Sequence, residues 1–357
     1  MIRFHARTDV GKKRKNNEDS LLAAEEFGLF VVADGVGGRK AGELASALTV
    51  NTFQKYGARL AAAVAAFSDD RTRERRNTVL WLLDEAANAA SKQVYDSASN
   101  TGRQGMTTTL VAAVIGGGAA FLVHVGDSRA YLLRDRQVRQ LTEDHSMVNQ
   151  LLRQGSITPE EAATSRYRNV ITRAVGLYPT VQTDTAFVEL LKSDRLMLCS
   201  DGCSDLVPEG PMAALLGSTS VTDATDALID ASLEAGGKDN ITVIVVEPEA
   251  VLEAEAVTAR AAAMERLFLF SELPFHARLR VGRIVSERPA KRGDVVVRKG
   301  ERGDTMYTVV QGHVAVMVGT REVATLGPGE HFGELALVDE LPRSADIVAK
   351  TDVHLLA

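Results

Sequence analysis

Cysteine is nearly absent from this chain: its 357 residues include two, Cys199 and Cys203. Two thiols four apart, without partners for a zinc site, make no disulfide framework and fit a reducing compartment. Long apolar runs are missing as well. No stretch reaches membrane-spanning length, and Met1-Ile2-Arg3-Phe4-His5 lacks the apolar segment of a secretory leader. The expectation is a soluble, cytoplasmic protein with no membrane span. A basic excess is lacking too, since the formal net charge is -6, and this argues against nucleic acid as a partner. What the chain does have is 45% hydrophobic residues, ample for packed cores, and a length that suggests two domains.

One apolar run stops on an acid: Phe30-Val31-Val32-Ala33-Asp34-Gly35-Val36-Gly37-Gly38. Its β-branched residues predict a buried strand that Gly35 breaks. A carboxylate at the end of a buried strand is costly unless a cation neutralises it. Gly35, without a side chain, lets its own carbonyl approach an ion closely. An ordinary Asp-Gly turn explains this stretch equally well, so recurrence has to decide. Arg195-Leu196-Met197-Leu198-Cys199-Ser200-Asp201-Gly202 repeats the pattern, Asp239 directly precedes the strand 241–246, and Asp127 follows the strand 119–125. Hard ions such as Mg²⁺ and Mn²⁺ take oxygen ligands, and no His/Cys cluster favours zinc. Two ions bridged by one carboxylate can activate a shared water for in-line attack on phosphorus, with no protein nucleophile. Arg14, in the polar loop beside Glu18 and Asp19, is available to hold a phosphate bidentately.

Other candidates read more simply. His124 alternates with Val123 and Val125 as a packed strand residue, and His145 has no second histidine at ligand spacing. Thr107 to Thr109 suit a strand, Cys199 a small buried hydrophobe, and the arginines at 71, 73, 75 and 76 a solvated face.

Helices are expected from 41 to about 56, from 77 to 97 and from 221 to 235, with a glycine-turned hairpin over 107–125. Residues 145–180 form an irregular, partly helical insertion. After Pro248 an Ala/Glu-rich stretch suits a connecting helix. From 281 onward, short β segments punctuated by glycine indicate a small barrel or β-roll. The boundaries are 1–248, a helical linker 249–267, and 268–357.

The motifs Arg14-Lys15-Asn16-Asn17-Glu18-Asp19, Ala33-Asp34-Gly35-Val36-Gly37-Gly38, Gly126-Asp127-Ser128-Arg129, Ser200-Asp201-Gly202 and Lys238-Asp239-Asn240-Ile241-Thr242 stand in the order of a known family. Over residues 1–248 the chain resembles bacterial type 2C-like (PPM), metal-dependent serine/threonine protein phosphatases. The resemblance implies an α+β fold, an αββα four-layer β-sandwich with the metals at one end. It implies that Asp34, Asp201 and Asp239 hold one Mn²⁺ or Mg²⁺, and Asp34 with the Gly35 carbonyl the other. Glu18 and Asp19 would act mostly through water, and Asp127 with Asp201 would form a weaker third site. Catalytic roles fall on Arg14, Asp34, Asp201 and Asp239, acting on phosphorylated proteins that are targets of Ser/Thr kinases. Residues 145–180 match the variable flap. Animal relatives carry a histidine where this chain has Val36, which leaves the leaving-group proton to metal-bound water. The same motifs leave open a small phosphate ester hydrolase or a non-catalytic scaffold.

The C-terminal stretch resembles a cyclic nucleotide-binding domain over 268–357. Phe332-Gly333-Glu334-Leu335-Ala336-Leu337 and Arg343-Ser344 match its phosphate-binding cassette. The resemblance implies that Gly333, Glu334, Leu335, Ala336, Arg343 and Ser344 grip cAMP or cGMP, with Arg343 on the phosphate and Glu334 on a ribose hydroxyl. Ser344 suits cGMP without excluding cAMP. The helices that usually cover the base are missing before Ala357, so either the sequence is truncated or the lid is absent.

Overall fold

In a computed structural model the described residues are 2–36, 41–103, 105–248, 252, 254–266, 273–282, 285–334 and 342–357. They divide into two compact units, Met1–Val251 and Leu252–Ala357.

The first unit runs β1 (Arg3–Asp9), β2 (Asp19–Ala24), β3 (Leu29–Val36), α1 (Ala41–Asp69), α2 (Arg73–Thr101), β4 (Thr107–Thr108), β5 (Leu110–Gly116) and β6 (Ala119–Val125). It continues with β7 (Arg129–Arg134), β8 (Gln137–Gln140), α3 (Met147–Arg153), α4 (Pro159–Thr164), β9 (Asp184–Glu189) and β10 (Arg195–Cys199). Three helices, α5 (Asp201–Ser204), α6 (Glu209–Leu216) and α7 (Val221–Glu234), precede β11 (Ile241–Glu247). One sheet has the order β1-β11-β10-β7-β8; the other has β2-β3-β5-β6-β9, with β4 paired to β3.

These strands are near-continuous apolar runs because both their faces are covered. Helices α1 and α2 bury Phe53, Leu60, Phe67, Leu83 and Val94 against alternate residues of the second sheet, Val31, Ala112, Val114 and Phe121. Helix α7 packs Leu228 and Ile229 on Met197, Val243 and Val245 of the first sheet. Between the sheets Phe4 meets Phe30 at 5.3 Å. Fully burying each such side chain is worth about 1.5–3 kcal/mol. The result is the expected helix–sheet–sheet–helix order.

Helix α1 is longer than its sequence suggests, running on to Asp69 without a stop at Tyr56. Gly57 does not break it, because a Cβ there would lie 2.2 Å from the Phe27 ring that packs in its place. Of the arginines beyond it, Arg73 and Arg75 are exposed as expected, while Arg71 pairs with Glu189 at 3.2 Å and lies over Phe67, and Arg76 lies over Phe187. No helix among the described residues is long and apolar enough to cross a membrane.

In the second unit α8 (Ala254–Arg266) and α9 (Phe275–Gly282) precede the strands β12 (Glu287–Ala290), β13 (Val295–Val297), β14 (Tyr307–Gln311) and β15 (Val314–Val318). Then come β16 (Arg321–Leu326), β17 (His331–Phe332), β18 (Asp346–Ala349) and β19 (Val353–Leu356). Of the two architectures the sequence allowed, a barrel or a roll, the described strands make no closed barrel. They form two four-stranded sheets, β12-β19-β14-β17 and β13-β18-β15-β16. Val309, Val314, Phe332 and Leu355 fill the space between them. Helix α8 is part of this unit, where Ala263 packs with Val310 and Leu356.

Candidate metal centre

Strand register brings the acids to one end of the sandwich. Asp19 and Asp34 face each other across β2 and β3. Strand β5 begins beside that end, with Val111 opposite Val32, and β6 returns there with Val125 opposite Leu110. Asp127 follows directly. In the other sheet Cys199 pairs with both Val243 and Arg129, so β10 ends where β11 and β7 begin. Asp201 and Asp239 therefore arrive at the same end from opposite chain directions.

Hydrogen bonds hold the Asp34 main chain. Its N–H donates to Thr109 Oγ1 at 3.0 Å, and its carbonyl accepts from Thr109 N and Thr108 Oγ1, both at 2.8 Å. Ser128 Oγ lies 2.6 Å from Thr109 Oγ1. The threonines are thus more than strand formers. Gly35 has a steric necessity: a Cβ there would lie 2.2 Å from Gly42 O and 2.6 Å from Glu18 O. Asn240 ties two loops together, accepting from Glu18 N at 2.8 Å and donating to Val10 O and Asn16 O at 3.0 Å each. Arg14 Nη2 donates to Asp239 Oδ2 at 2.6 Å.

The carboxyls crowd one another. Asp19 is buried, and its Oδ2 accepts from Ser200 Oγ at 2.8 Å and Thr242 Oγ1 at 2.6 Å. Two buried oxygens, Asp19 Oδ1 and Asp201 Oδ1, have no hydrogen-bond donor. Burial, then the charges of Asp19, Asp201 and Asp127, push the Asp34 carboxyl well above the usual range. Burial with Asp127 and Asp205 lifts Asp201 to about 8. Burial raises Asp19 to about 6, against its two hydroxyl donors, and burial with Asp144 raises Asp127 to about 6. Unpaired oxygens on repelling, buried carboxylates are what a divalent cation would relieve, so the donor set fits hard ions.

A pH effect follows from these shifts. Acids whose folded pKa is raised bind more protons folded than unfolded, so their contribution is fully present at low pH and fades as pH rises. The window runs from 3.8, the ordinary value of a free aspartate, to about 8. In EDTA the melting temperature is expected to fall between pH 5 and pH 8, while Mn²⁺ removes most of that fall. Differential scanning fluorimetry checks it; an Mn²⁺–EDTA gap that does not widen with pH would count against the crowded cluster.

Sequence reading missed the neighbours of Asp127. Arg129 clamps Asp144 through bonds of 2.8 and 2.6 Å, and Asp205, itself raised by burial, adds another acid. It also missed that the two histidines meet: His124 and His145 stack at 4.3 Å, and with Asp184 they offer ligand atoms within 4.8 Å of one another. This cluster is poorly suited to a cation. The Arg173 guanidinium stands 3.1 Å from His145 Nε2 and 3.3 Å from Asp184, and His145 Nδ1 accepts from Gly126 N at 3.1 Å. Both ring nitrogens of His145 are thus engaged, Nδ1 by the Gly126 N–H and Nε2 by the neighbouring guanidinium, whose positive charge repels a cation. The cluster instead anchors the base of the 145–180 segment, where His145 N also donates to Gly126 O at 2.8 Å.

In the second unit Arg343 is buried and donates to Gly333 O at 3.0 Å and Thr305 O at 2.6 Å. A Cβ on Gly303 or Gly333 would lie 2.3 or 2.5 Å from its guanidinium, so both glycines make room for it. Glu334 is half-buried in a turn and Ser344 is exposed. Leu335 and Ala336 lie outside the described residues.

Comparison with known proteins gives two matches to family profiles: Protein phosphatase 2C over residues 11–236 and Cyclic nucleotide-binding domain over residues 287–357. The serine/threonine phosphatase stp of Listeria welshimeri is 38% identical over 245 residues, covering 68% of this chain and 94% of that protein. The crystal structure of the Mycobacterium tuberculosis serine/threonine phosphatase PstP/Ppp superposes with a TM-score of 0.60 at 38% identity, covering 70% of this chain and 99% of that one. A structure of the PstP catalytic domain in complex with two manganese ions matches at 37% identity and a TM-score of 0.57, covering 69% and 97%.

Proposed function

The chain belongs to the protein phosphatase 2C family, a protein serine/threonine phosphatase, and from that premise we propose how its own residues work. Asp34, Asp201 and Asp239 hold one divalent ion, and Asp34 with the Gly35 carbonyl holds a second. Glu18 and Asp19 support that pair from outside, and Asp127 with Asp201 offers a third, weaker position. An ion held by these residues would supply the charge that acidifies a water and turns it toward phosphorus. The observation that carries this reading is the convergence of buried and half-buried carboxyls at one sheet end, with two donor-free oxygens among them.

Arg14 keeps part of its guanidinium free of Asp239 and is 53% exposed, so it can take two oxygens of a phosphate. Asp239 aims it. Asn240 locks the loop bearing Asp239 to the backbone of Asn16 and Glu18, which fixes Arg14 relative to the acids. Val36, 43% exposed, offers no acid to the leaving alkoxide, so that proton would have to come from water at the centre.

The second unit supports a cyclic nucleotide as regulatory ligand. Arg343 is already oriented by two carbonyls and retains donors for a phosphate. Regulation further requires the nucleotide to bind two states of the enzyme unequally. The test is hydrolysis of a phosphothreonine peptide and of p-nitrophenyl phosphate with Mn²⁺ or EDTA, each with and without cAMP or cGMP. Turnover of the peptide in Mn²⁺, lost in EDTA, is expected. Preference for the small ester would move the reading to an ester hydrolase, and inertness of folded protein to a scaffold. A rate that neither nucleotide changes would remove the regulatory role.

A further inference from the structure

The chain is acidic overall, with a net charge of -6, yet residues 10–17 contain four cations and no acid. Lys12, Lys13, Arg14 and Lys15 are all exposed. A charge run is ordinarily a solvated, mobile face. This one is pinned: Lys12 N donates to Gly237 O at 2.8 Å, Gly11 N to Asp9 Oδ1 at 2.8 Å, and Asn240 holds Val10 O and Asn16 O. The pinned loop runs along the carboxyl cluster, because Arg14 reaches Asp239, and exposed Lys238 adds a further charge there. On the side of Asp205, exposed Arg168 of the 145–180 segment acts electrostatically on that acid.

We propose that this basic rim is a substrate-recognition surface for acidic phosphoprotein segments, with Asp or Glu within a few residues of the phosphorylated side chain. The inference rests on the phosphatase reading and names its substrate class. With the phosphate on Arg14, residues of an extended substrate follow at about 3.3 Å intervals, so flanking carboxylates come within reach of the neighbouring lysines. Charges fixed on a rigid loop steer and retain such a segment without touching the reacting atoms.

The test compares two phosphothreonine peptides, one flanked by Asp/Glu and one by Lys/Arg, on the full chain with Mn²⁺. At low ionic strength the acidic peptide is expected to have a kcat/KM about tenfold higher, a ratio that shrinks toward one in 0.5 M salt as screening shortens to a few ångströms. The triple variant K12E/K13E/K15E is expected to invert the ratio, and Lys238→Glu to reduce it. Because each ratio is read on one protein, a general loss of activity does not imitate the effect. Equal kcat/KM for the two peptides, or a preference that salt and charge reversal leave intact, overturns the inference while the phosphatase reading stands. Turnover of neither peptide overturns both.

Discussion

Asp34→Asn is expected to lower Mn²⁺-dependent hydrolysis of a phosphothreonine peptide by about 10³-fold or more while making the metal-free protein more stable. The two effects have one origin. Asp34 is the carboxylate shared between the two proposed ion positions, and charge stabilisation by bound ions is worth several kcal/mol in the transition state. Each 1.4 kcal/mol is a factor of ten in rate, so losing about 4 kcal/mol costs about 10³-fold. In the absence of ions the same carboxyl stands in a buried field of Asp19, Asp201 and Asp127. Asparagine keeps its shape and removes its charge. The melting temperature in EDTA at pH 8 should therefore rise, and the increment produced by Mn²⁺ should shrink. Steady-state kinetics and a melting curve on the same sample read both. Wild-type turnover in the variant would remove Asp34 from the centre, and a lower melting temperature in EDTA would argue against the mutual repulsion.

Asp194→Ala is expected to destabilise the phosphatase unit by about 3–5 kcal/mol, the cost of leaving a buried cation without its partner. Asp194 is fully buried and Arg134 is 8% exposed. Their bidentate pair has bonds of 2.9 and 2.6 Å, and Asp194 Oδ2 also accepts from Leu191 N at 2.7 Å. The pair joins the far end of β7 to the turn before β10, away from the acids. Urea denaturation should show the loss as a lower midpoint at unchanged slope. Replacing both partners, Arg134→Met with Asp194→Leu, should recover most of it, because an apolar pair needs no desolvation of charge. A single alanine variant as stable as the parent would mean that water reaches Arg134.

The strand-end acids were legible in the sequence because β-branched runs that stop on Asp-Gly carry their own punctuation. Sequence periodicity says which face a residue takes and leaves its partner across the sheet unspecified. That is why the pairing of Arg129 with Asp144 and the approach of Asp205 to Asp127 were not legible, and why His124 and His145, each simple when read alone, turn out to stack. The same limit hid Thr109, between β4 and β5, whose hydroxyl serves the Asp34 backbone from 75 residues away. The end of α1 was misjudged for a local reason: Gly57 is a breaker by propensity and a packing site by context. In the second unit the cassette glycines were legible, whereas their service to the Arg343 guanidinium was visible only in three dimensions.

The order β1-β11-β10-β7-β8 has a consequence for how the protein is made. The first and last strands of the phosphatase unit are neighbours, and β11 inserts between β1 and β10. Until residues 239–247 have been synthesised, β1 has no partner in this sheet, Arg14 has no Asp239, and Glu18 has no Asn240. A nascent chain therefore emerges with Asp19, Asp34, Asp127 and Asp201 but without Asp239 and the strand that organises them. Assembly of the centre is deferred to the closing strand, a long-range pairing of the kind that folds slowly, and partial products of translation are born inactive.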